Sequence, residues 1–323
     1  MKRSFSRVWR ATLCCAAVLL ASSATAQTWP DRPIKLVVPF SAGGGADVAA
    51  RTYGDKLSSL LGQPVVIENK PGASGNIGAE LVARGPADGH TLLFGNEFLA
   101  TNPVMFQNIR YDSLKDFVPI AKVASTPVAI AAHPSLPVKS VQELLALGRT
   151  RALNYASPGV GTGPHLFGQL MALRSGAKFN NIPYRGSAPA MADAVGGQVD
   201  FIISTLTPMM VYLQSGKLNG LAITGGKRST HAPDIPTLTE VGVVSPPYAV
   251  WYGVMAPAAT PQPVVARLQQ LSAQILKDPE VLAKLRNAGY DAESSIGDTF
   301  GAELRADIER WQRVIQDAKI PKE

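Results

Sequence analysis

The chain has 323 residues and a formal charge of +7, but Lys2, Arg3, Arg7 and Arg10 supply much of that excess at one end. An apolar stretch, Ala11 to Leu20, follows them, and Ala24-Thr25-Ala26 has the small-x-small form of a signal peptidase site, so residues 1–26 read as a secretion signal cleaved before Gln27. Without that segment Lys+Arg falls from 31 to 27 against 24 Asp+Glu, a charge of +3, and no basic run remains for nucleic acid.

The apolar part of the signal is too short to span a bilayer, which takes about 20 residues. Both cysteines, Cys14 and Cys15, lie in it, so the mature chain offers neither a disulfide framework nor a cysteine-based metal site. Leu13 before Cys14 is too large for a lipoprotein signal. A mature chain of about 297 residues exceeds one ordinary core, which predicts two domains.

In chain order, Ile34 to Val38 predicts a buried strand, and Pro39 to Gly45 a turn closed by three glycines. A helix from Asp47 to Leu61 follows, stopped at Gly62, with Asp47 as its cap. The unpaired N–H groups of such a helix start suit an anion, and a plain structural turn is the equal alternative. Val65 to Asn69 is a second strand. The glycines at 72, 75 and 78 lack the lysine and Ser/Thr of a phosphate loop, so they predict a structural loop leading into a helix around Ala79 to Ala83. Thr91 to Phe94 is a third strand, ending in Gly95-Asn96-Glu97.

From Phe117 the pattern changes. Two extended runs, Val118 to Val123 and Pro127 to Ala132, predict a crossing into a second sheet. A helix over Val138 to Leu145 is capped by Ser140, with Glu143 completing a capping box. Leu153 to Ala156 is a strand, Ser157 to His165 a glycine-rich turn, and a helix runs on to about Arg174. Ile182 to Ala190 is a third such turn, with Ser187 as cap. Val199 to Ser204 and Leu221 to Thr224 are further strands. The chain then returns through a strand at Val250 to Pro257. Val264, Leu268, Leu271 and Ile275 recur at helical spacing, as do Phe300, Leu304, Ile308, Trp311 and Ile315. These helices have no sheet of their own and are expected to pack on the first lobe. The predicted architecture is α/β. Lobe 1 is discontinuous (27–126 and 250–323) and lobe 2 spans 127–249, each a mostly parallel sheet flanked by helices with a cleft between.

The catalytic search is largely empty. His90, His133, His165 and His231 are isolated, no His pair has metal spacing, and no Gly-x-Ser-x-Gly elbow occurs. His165 with Ser157 or Thr162 is a minor hydrolase alternative. Asp47 and Glu97 form either an acid pair at the mouth of the first lobe or a cap and a loop residue. More abundant are helix starts near Asp47, Thr162 and Ser187, in loops rich in Gly, Ser and Thr whose one positive charge is Arg185. Such a site holds an anion by backbone N–H groups, each helix start contributing about 0.3–1 kcal/mol.

Ordered matches run through the mature chain: Trp29-Pro30-Asp31-Arg32-Pro33-Ile34, Val38 to Gly44, Val66 to Ala73, Gly75 to Ala79, Pro134 to Ser140, Leu153 to Ser157, Pro183 to Ala190, Gly196 to Asp200, Trp251-Tyr252-Gly253 and Ala256-Pro257. On these residues the chain resembles the Bug-type extracytoplasmic solute-binding proteins of tripartite tricarboxylate transporters. The signal predicts the periplasm, and the catalytic search predicts no catalytic residue, cofactor or metal; the resemblance implies a two-lobed type II periplasmic binding fold. It implies an organic carboxylate held between strand-end loops, partly through ordered water, and delivery to separate integral membrane subunits by a monomeric receptor. The ligand-binding candidates are Phe40, Ser41, Ala42, Gly43, Gly44, Asp47, Gly95, Asn96, Glu97, Ser157, Gly161, Thr162, His165, Gly186, Ser187, Ala188 and Ser204. Two positions depart from the family pattern. Ser204 stands where many relatives carry an acid, which argues against an amino-acid ligand. Glu97 stands where they carry a small or polar residue, and in the cleft it would repel a second carboxylate or accept a donor. A ligand-sensing role beside a membrane signalling protein, or an exported hydrolase, are the alternatives.

Overall fold

The computed structural model describes residues 29–243 and 248–323; the expected signal and its cleavage site lie outside them. Two parallel three-stranded units carry the chain. In one, β1 (Ile34–Val38) pairs with β2 (Val65–Asn69) and β3 (Thr91–Asn96). In the other, β5 (Leu153–Ser157) pairs with β6 (Phe179–Pro183) and β7 (Phe201–Thr205). All five residues of β7 are buried, as in a strand covered on both faces.

The lobes are joined by a single long strand, β4 (Phe117–Ala132), and by the returning strand β9 (Ala249–Pro257). These pair antiparallel from Phe117 opposite Pro257 to Pro127 opposite Ala249. From Val128 onward β4 exchanges partners and pairs antiparallel with β7 and with β8 (Asn219–Ile223). The two runs expected at 118–123 and 127–132 are thus one strand. Ala124, Ser125 and Thr126 interrupt the apolar pattern, but their backbone still pairs with β9. Register shifts at Pro119/Ala121 and Lys122/Ala124 supply the bend in place of a loop. Each sheet is therefore mixed: parallel within its lobe, antiparallel where the chain crosses.

Helices α1 (Gly45–Leu61), α2 (Asn76–Ala83) and α3 (Phe98–Met105) follow the first three strands in turn. Ala46, Ala49, Ala50, Tyr53 and Leu57 make the buried stripe of α1, and Gly62, at φ 67°, ends it by donating its N–H to Ser58 O at 3.0 Å. In the second lobe α4 (Val141–Thr150) starts at Ser140, whose Oγ accepts the Glu143 N–H at 3.2 Å. The Glu143 carboxylate reaches Lys139 N–H at 2.6 Å, one residue before the position a capping box predicts. There follow α5 (Gly163–Ser175), α6 (Ser187–Val195) and α7 (Leu206–Gln214). The C-terminal helices α8 (Gln262–Ile275), α9 (Pro279–Asn287) and α10 (Asp298–Asp317) return to the first lobe: α8 and α9 pack on α1, and α10 on α3. A buried bond of 2.7 Å between the Tyr53 and Ser272 hydroxyls ties α1 to α8.

Helices α3, α7 and α9 go unannounced in the sequence; each carries a proline, Pro103, Pro208 and Pro279. Pro208 sits in a first turn, where its missing N–H has no helical partner to lose.

Candidate functional site

The β1–α1 turn is built around Asp47. Its carboxylate accepts the Gly43 N–H at 3.0 Å, Arg51 Nε and an Arg51 Nη at 2.9 Å each, and Asn69 Nδ2 at 3.0 Å. Burial pushes this acid up, but the bonds from Arg51, Gly43 and Asn69 outweigh it and hold its pKa below the usual carboxylate range. The cap position of α1 is Gly44, and Asp47 reaches back from inside the first turn. Asp47 and the Gly43 N–H are therefore committed to each other and not to a ligand. Gly45 lies so near β9 that a Cβ there would stand 2.5 Å from the Tyr252 hydroxyl.

The second lobe's turns are also self-bonded. Thr162 Oγ1 donates to Gly159 O at 2.7 Å, and the Gly161 N–H, at φ 74°, donates to His165 Nδ1 at 2.9 Å. His165 Nε2 faces the Gln169 amide at 3.0 Å. Burial pushes the imidazole down to about 4, so it is neutral at pH 7. Neither ring nitrogen meets a hydroxyl, so the Ser157 or Thr162 pairing with His165 that a hydrolase would need is not formed. The cap of α6 is Gly186 rather than Ser187; Ser187 is the first helical residue, and its Oγ accepts from Ser204 Oγ at 3.1 Å.

The two lobes touch through these turns. Ser41 N–H donates to Arg185 O at 3.2 Å, and a Cβ on Gly186 would lie 2.6 Å from Ser41 Oγ. Between them is a small void of about 20 Å³. Six of the expected contacts line it: Phe40, Gly44, Asn96, Glu97, Thr162 and Ser187. The other expected contacts, Ser41, Ala42, Gly43, Asp47, Gly95, Ser157, Gly161, His165, Gly186, Ala188 and Ser204, are outside its lining. Several of these instead shape the turns, as Asp47, Gly161 and His165 do. Sequence reasoning missed Gly45, Ala46, Pro158, Pro164, Thr205, Val250 and Tyr252. Thr205 and the Gly45-Ala46 pair adjoin predicted loops and were within reach of that reasoning. Val250 and Tyr252 arrive on β9, after the whole second lobe, with no local signal.

Four helix starts meet the void: Gly45 and Ala46 of α1, the Thr162 cap of α5, Ser187 of α6 and the Thr205 cap of α7. The acid among them is Glu97, just after β3 and 2 % exposed. Burial pushes its pKa up to about 8; its own N–H, the Gly163 N–H and Tyr248 pull the other way with less effect, and Asp307 adds to the rise. The Tyr248 hydroxyl is the polar neighbour of the Glu97 carboxyl group. Asp47 and Glu97 thus do not form a catalytic pair: one is locked to Arg51 and the other is buried beside Tyr248. Among the described residues no cluster of His, Cys, Asp and Glu is arranged to hold a metal ion.

Two α/β lobes joined by crossing strands, with helix starts converging on the gap, define a periplasmic binding protein of the two-lobed type. Residues 49–320 match the family described as "Tripartite tricarboxylate transporter family receptor", and the chain belongs to that family. It is 34% identical over 302 residues to Protein BugT of Bordetella pertussis, covering 92% of this chain and 93% of that protein. Among solved structures it is similar to an R. palustris protein with adipate, at TM-score 0.88 and 35% identity over 91% of this chain and 100% of that one. It is also similar to MatC from Rhodopseudomonas palustris with bound malate, at TM-score 0.84 and 29% identity over 89% of this chain and 100% of that one.

Proposed function

We propose that this chain is a non-catalytic periplasmic receptor that captures a small organic carboxylate between its lobes. It then delivers the acid to the integral membrane subunits of a tripartite tricarboxylate-type transporter. The observation that carries this reading is the convergence of four helix starts on one void with no lysine or arginine in its lining. Backbone N–H groups there can hold a carboxylate without a salt bridge that would slow release. Thr205 Oγ1, buried in that lining and without a partner among the described residues, is a further contact the ligand can satisfy. Phe40, Gly44, Asn96, Glu97, Thr162 and Ser187 are the contacts assigned to the ligand.

Lobe 1 is assigned residues 27–126 and 250–323, and lobe 2 residues 127–249. The change of partners at Pro127–Val128 supports a hinge there. Membership of a transporter receptor family and the likeness to proteins solved with adipate and malate support the ligand class.

A thermal-shift screen with di- and tricarboxylates, aromatic carboxylates and acidic amino acids tests the reading. A true ligand at a hundred times its Kd stabilises by about 2.7 kcal/mol. Stabilisation by sugars or cations with silence from every acid would overturn it.

A further inference from the structure

Arg185 is the one positive charge in the helix-start loops, and it is not part of the void's lining. Its carbonyl oxygen accepts the Ser41 N–H at 3.2 Å, at the seam between the lobes. The residue is exposed, and its side chain makes no hydrogen bond or ion pair among the described residues. The void itself, about 20 Å³, has room for a water or the head of a carboxylate and no more. In this closed arrangement the body of an organic acid has to lie outside it.

A second cavity, of about 170 Å³, adjoins the void, with Phe40 and Pro158 common to both linings. One of its walls is the turn at 72–75, which follows β2. The other is made by Gly159 and Val160 after β5 and by Tyr184 and Arg185 after β6. Both lobes contribute, so the cavity is complete only when they meet. The first wall is held in an unusual shape: Ala73 and Ser74 have φ of 45° and 54°, which side chains rarely adopt and which persists only where the surroundings enforce it. Buried Asn102 enforces it here. Its Nδ2 donates to Ser74 O at 3.0 Å and to Asn76 Oδ1 at 2.8 Å, and the Tyr111 hydroxyl donates to the same Asn76 oxygen at 2.7 Å. The two walls come close together, since a Cβ on Gly159 would stand 3.0 Å from Ser74 Oγ.

The chemistry of this second cavity is simple. Phe40, Pro158, Val160 and Pro183 make its lining largely apolar, and Arg185 is its one charged residue. The Tyr184 hydroxyl is already taken, donating to Asp193 Oδ2 at 2.6 Å. An apolar cavity with one unpaired guanidinium suits a ligand segment that is apolar and then anionic. An ammonium end would be repelled there, and a neutral end would leave the guanidinium's charge unanswered.

Building on the carboxylate reading above, we infer that the closed cleft takes a dicarboxylate with an apolar spacer in two parts. One carboxylate lies at the helix starts, the spacer runs against Phe40 and Pro158, and the second carboxylate pairs with Arg185. Arg185 is then a specificity residue, distinct from the backbone N–H groups that hold the first carboxylate.

Isothermal titration calorimetry of the purified protein tests this at neutral pH and low salt. The probes are glutarate, adipate, suberate and terephthalate, each beside its own half-amide, which keeps the shape and removes the second charge. Wild type is expected to bind the best-fitting diacid about fivefold tighter than its half-amide, the scale of an ion pair at an exposed residue. Arg185→Ala is expected to bring that ratio to about one, and Arg185→Lys, which keeps the charge, to retain most of it. Because Arg185 is exposed, both variants are expected to melt close to wild type. A half-amide that binds wild type as tightly as its diacid, for every pair, overturns the inference and leaves carboxylate capture standing. So does a ratio unchanged in Arg185→Ala, or one lost equally in Arg185→Lys. Silence from every diacid and half-amide in wild type and both variants removes the carboxylate reading itself, and the inference with it.

Discussion

Asp47 and Glu97 are both buried acids of the first lobe, each next to the first turn of a helix near the cleft, and their surroundings are opposite. Asp47 accepts from Gly43, Arg51 and Asn69 and sits low in pKa. Glu97 lies beside Tyr248, and burial pushes it up to about 8. The difference teaches how to tell a scaffold acid from a site acid. A carboxylate with its lone pairs filled by its own chain holds a turn in shape. One buried with too few donors keeps its proton instead, because burial penalises the charged form.

The contrast can be broken most strongly at Asp47. Asp47→Ala strips the turn of several charge-assisted bonds. It should cost about 2–3 kcal/mol by urea denaturation, less than a fully buried pair because Arg51 is half exposed and can turn to water. The variant should also lose ligand binding, because the Gly43–Gly45 turn loosens.

The pH dependence separates the same two acids. Glu97 has a folded pKa near 8 against an ordinary 4.5. Between those values the native state keeps a proton that the unfolded chain releases, so stability falls as pH rises through the window and levels off above it. Asp47 has the opposite sign: its contribution is present above the ordinary 3.8 and is lost as pH falls through its depressed folded pKa. Denaturation across pH 4–9 should show the neutral-side decline in wild type and a flatter line in Glu97→Gln. That variant should gain about 1–3 kcal/mol at the alkaline end by removing a buried ionisable group. A variant as pH-dependent as wild type would assign the slope to another group.

A smaller effect is expected at Gly45. Its missing Cβ leaves room for the Tyr252 hydroxyl, 2.5 Å from where that atom would stand. Gly45→Ala should weaken any carboxylate found in the screen by about tenfold, or about 1.4 kcal/mol, and lower Tm as well, because the buried Tyr252 ring must shift. Smallest is Thr162→Ala, which removes the 2.7 Å bond to Gly159 O. It should lower stability by about 1 kcal/mol and weaken binding a few-fold. Unchanged calorimetric affinity in both variants would place the ligand elsewhere.

What could be read before folding was whatever neighbours in sequence decide. The strand, glycine turn and helix from Ile34 to Leu61 follow from an apolar run, three glycines and a stripe of period 3.6. Helices α8 and α10 follow from the spacing of Val264, Leu268, Leu271 and Ile275 and of Phe300, Leu304, Trp311 and Ile315. The ordered family matches carried the two-lobed architecture. Phe40, Gly44, Thr162 and Ser187 reach the cleft because strand-end loops before helices lie on one edge of a parallel sheet.

Other features belong to no single stretch. That β4 is one strand depends on β9, which pairs across its polar interruption. Tyr252 and Val250 enter the cleft only because the chain returns after the second lobe is complete. The sequence by itself determined the local turns, the helix periods and the family. The tertiary structure alone decided which acid is which, because the pKa and role of a carboxylate depend on the donors around it. Asp47 draws one of its donors, Arg51, from the next turn of its own helix. The groups around Glu97 come from Gly163 and Tyr248, more than sixty and one hundred and fifty residues away, and only the closed fold brings them together.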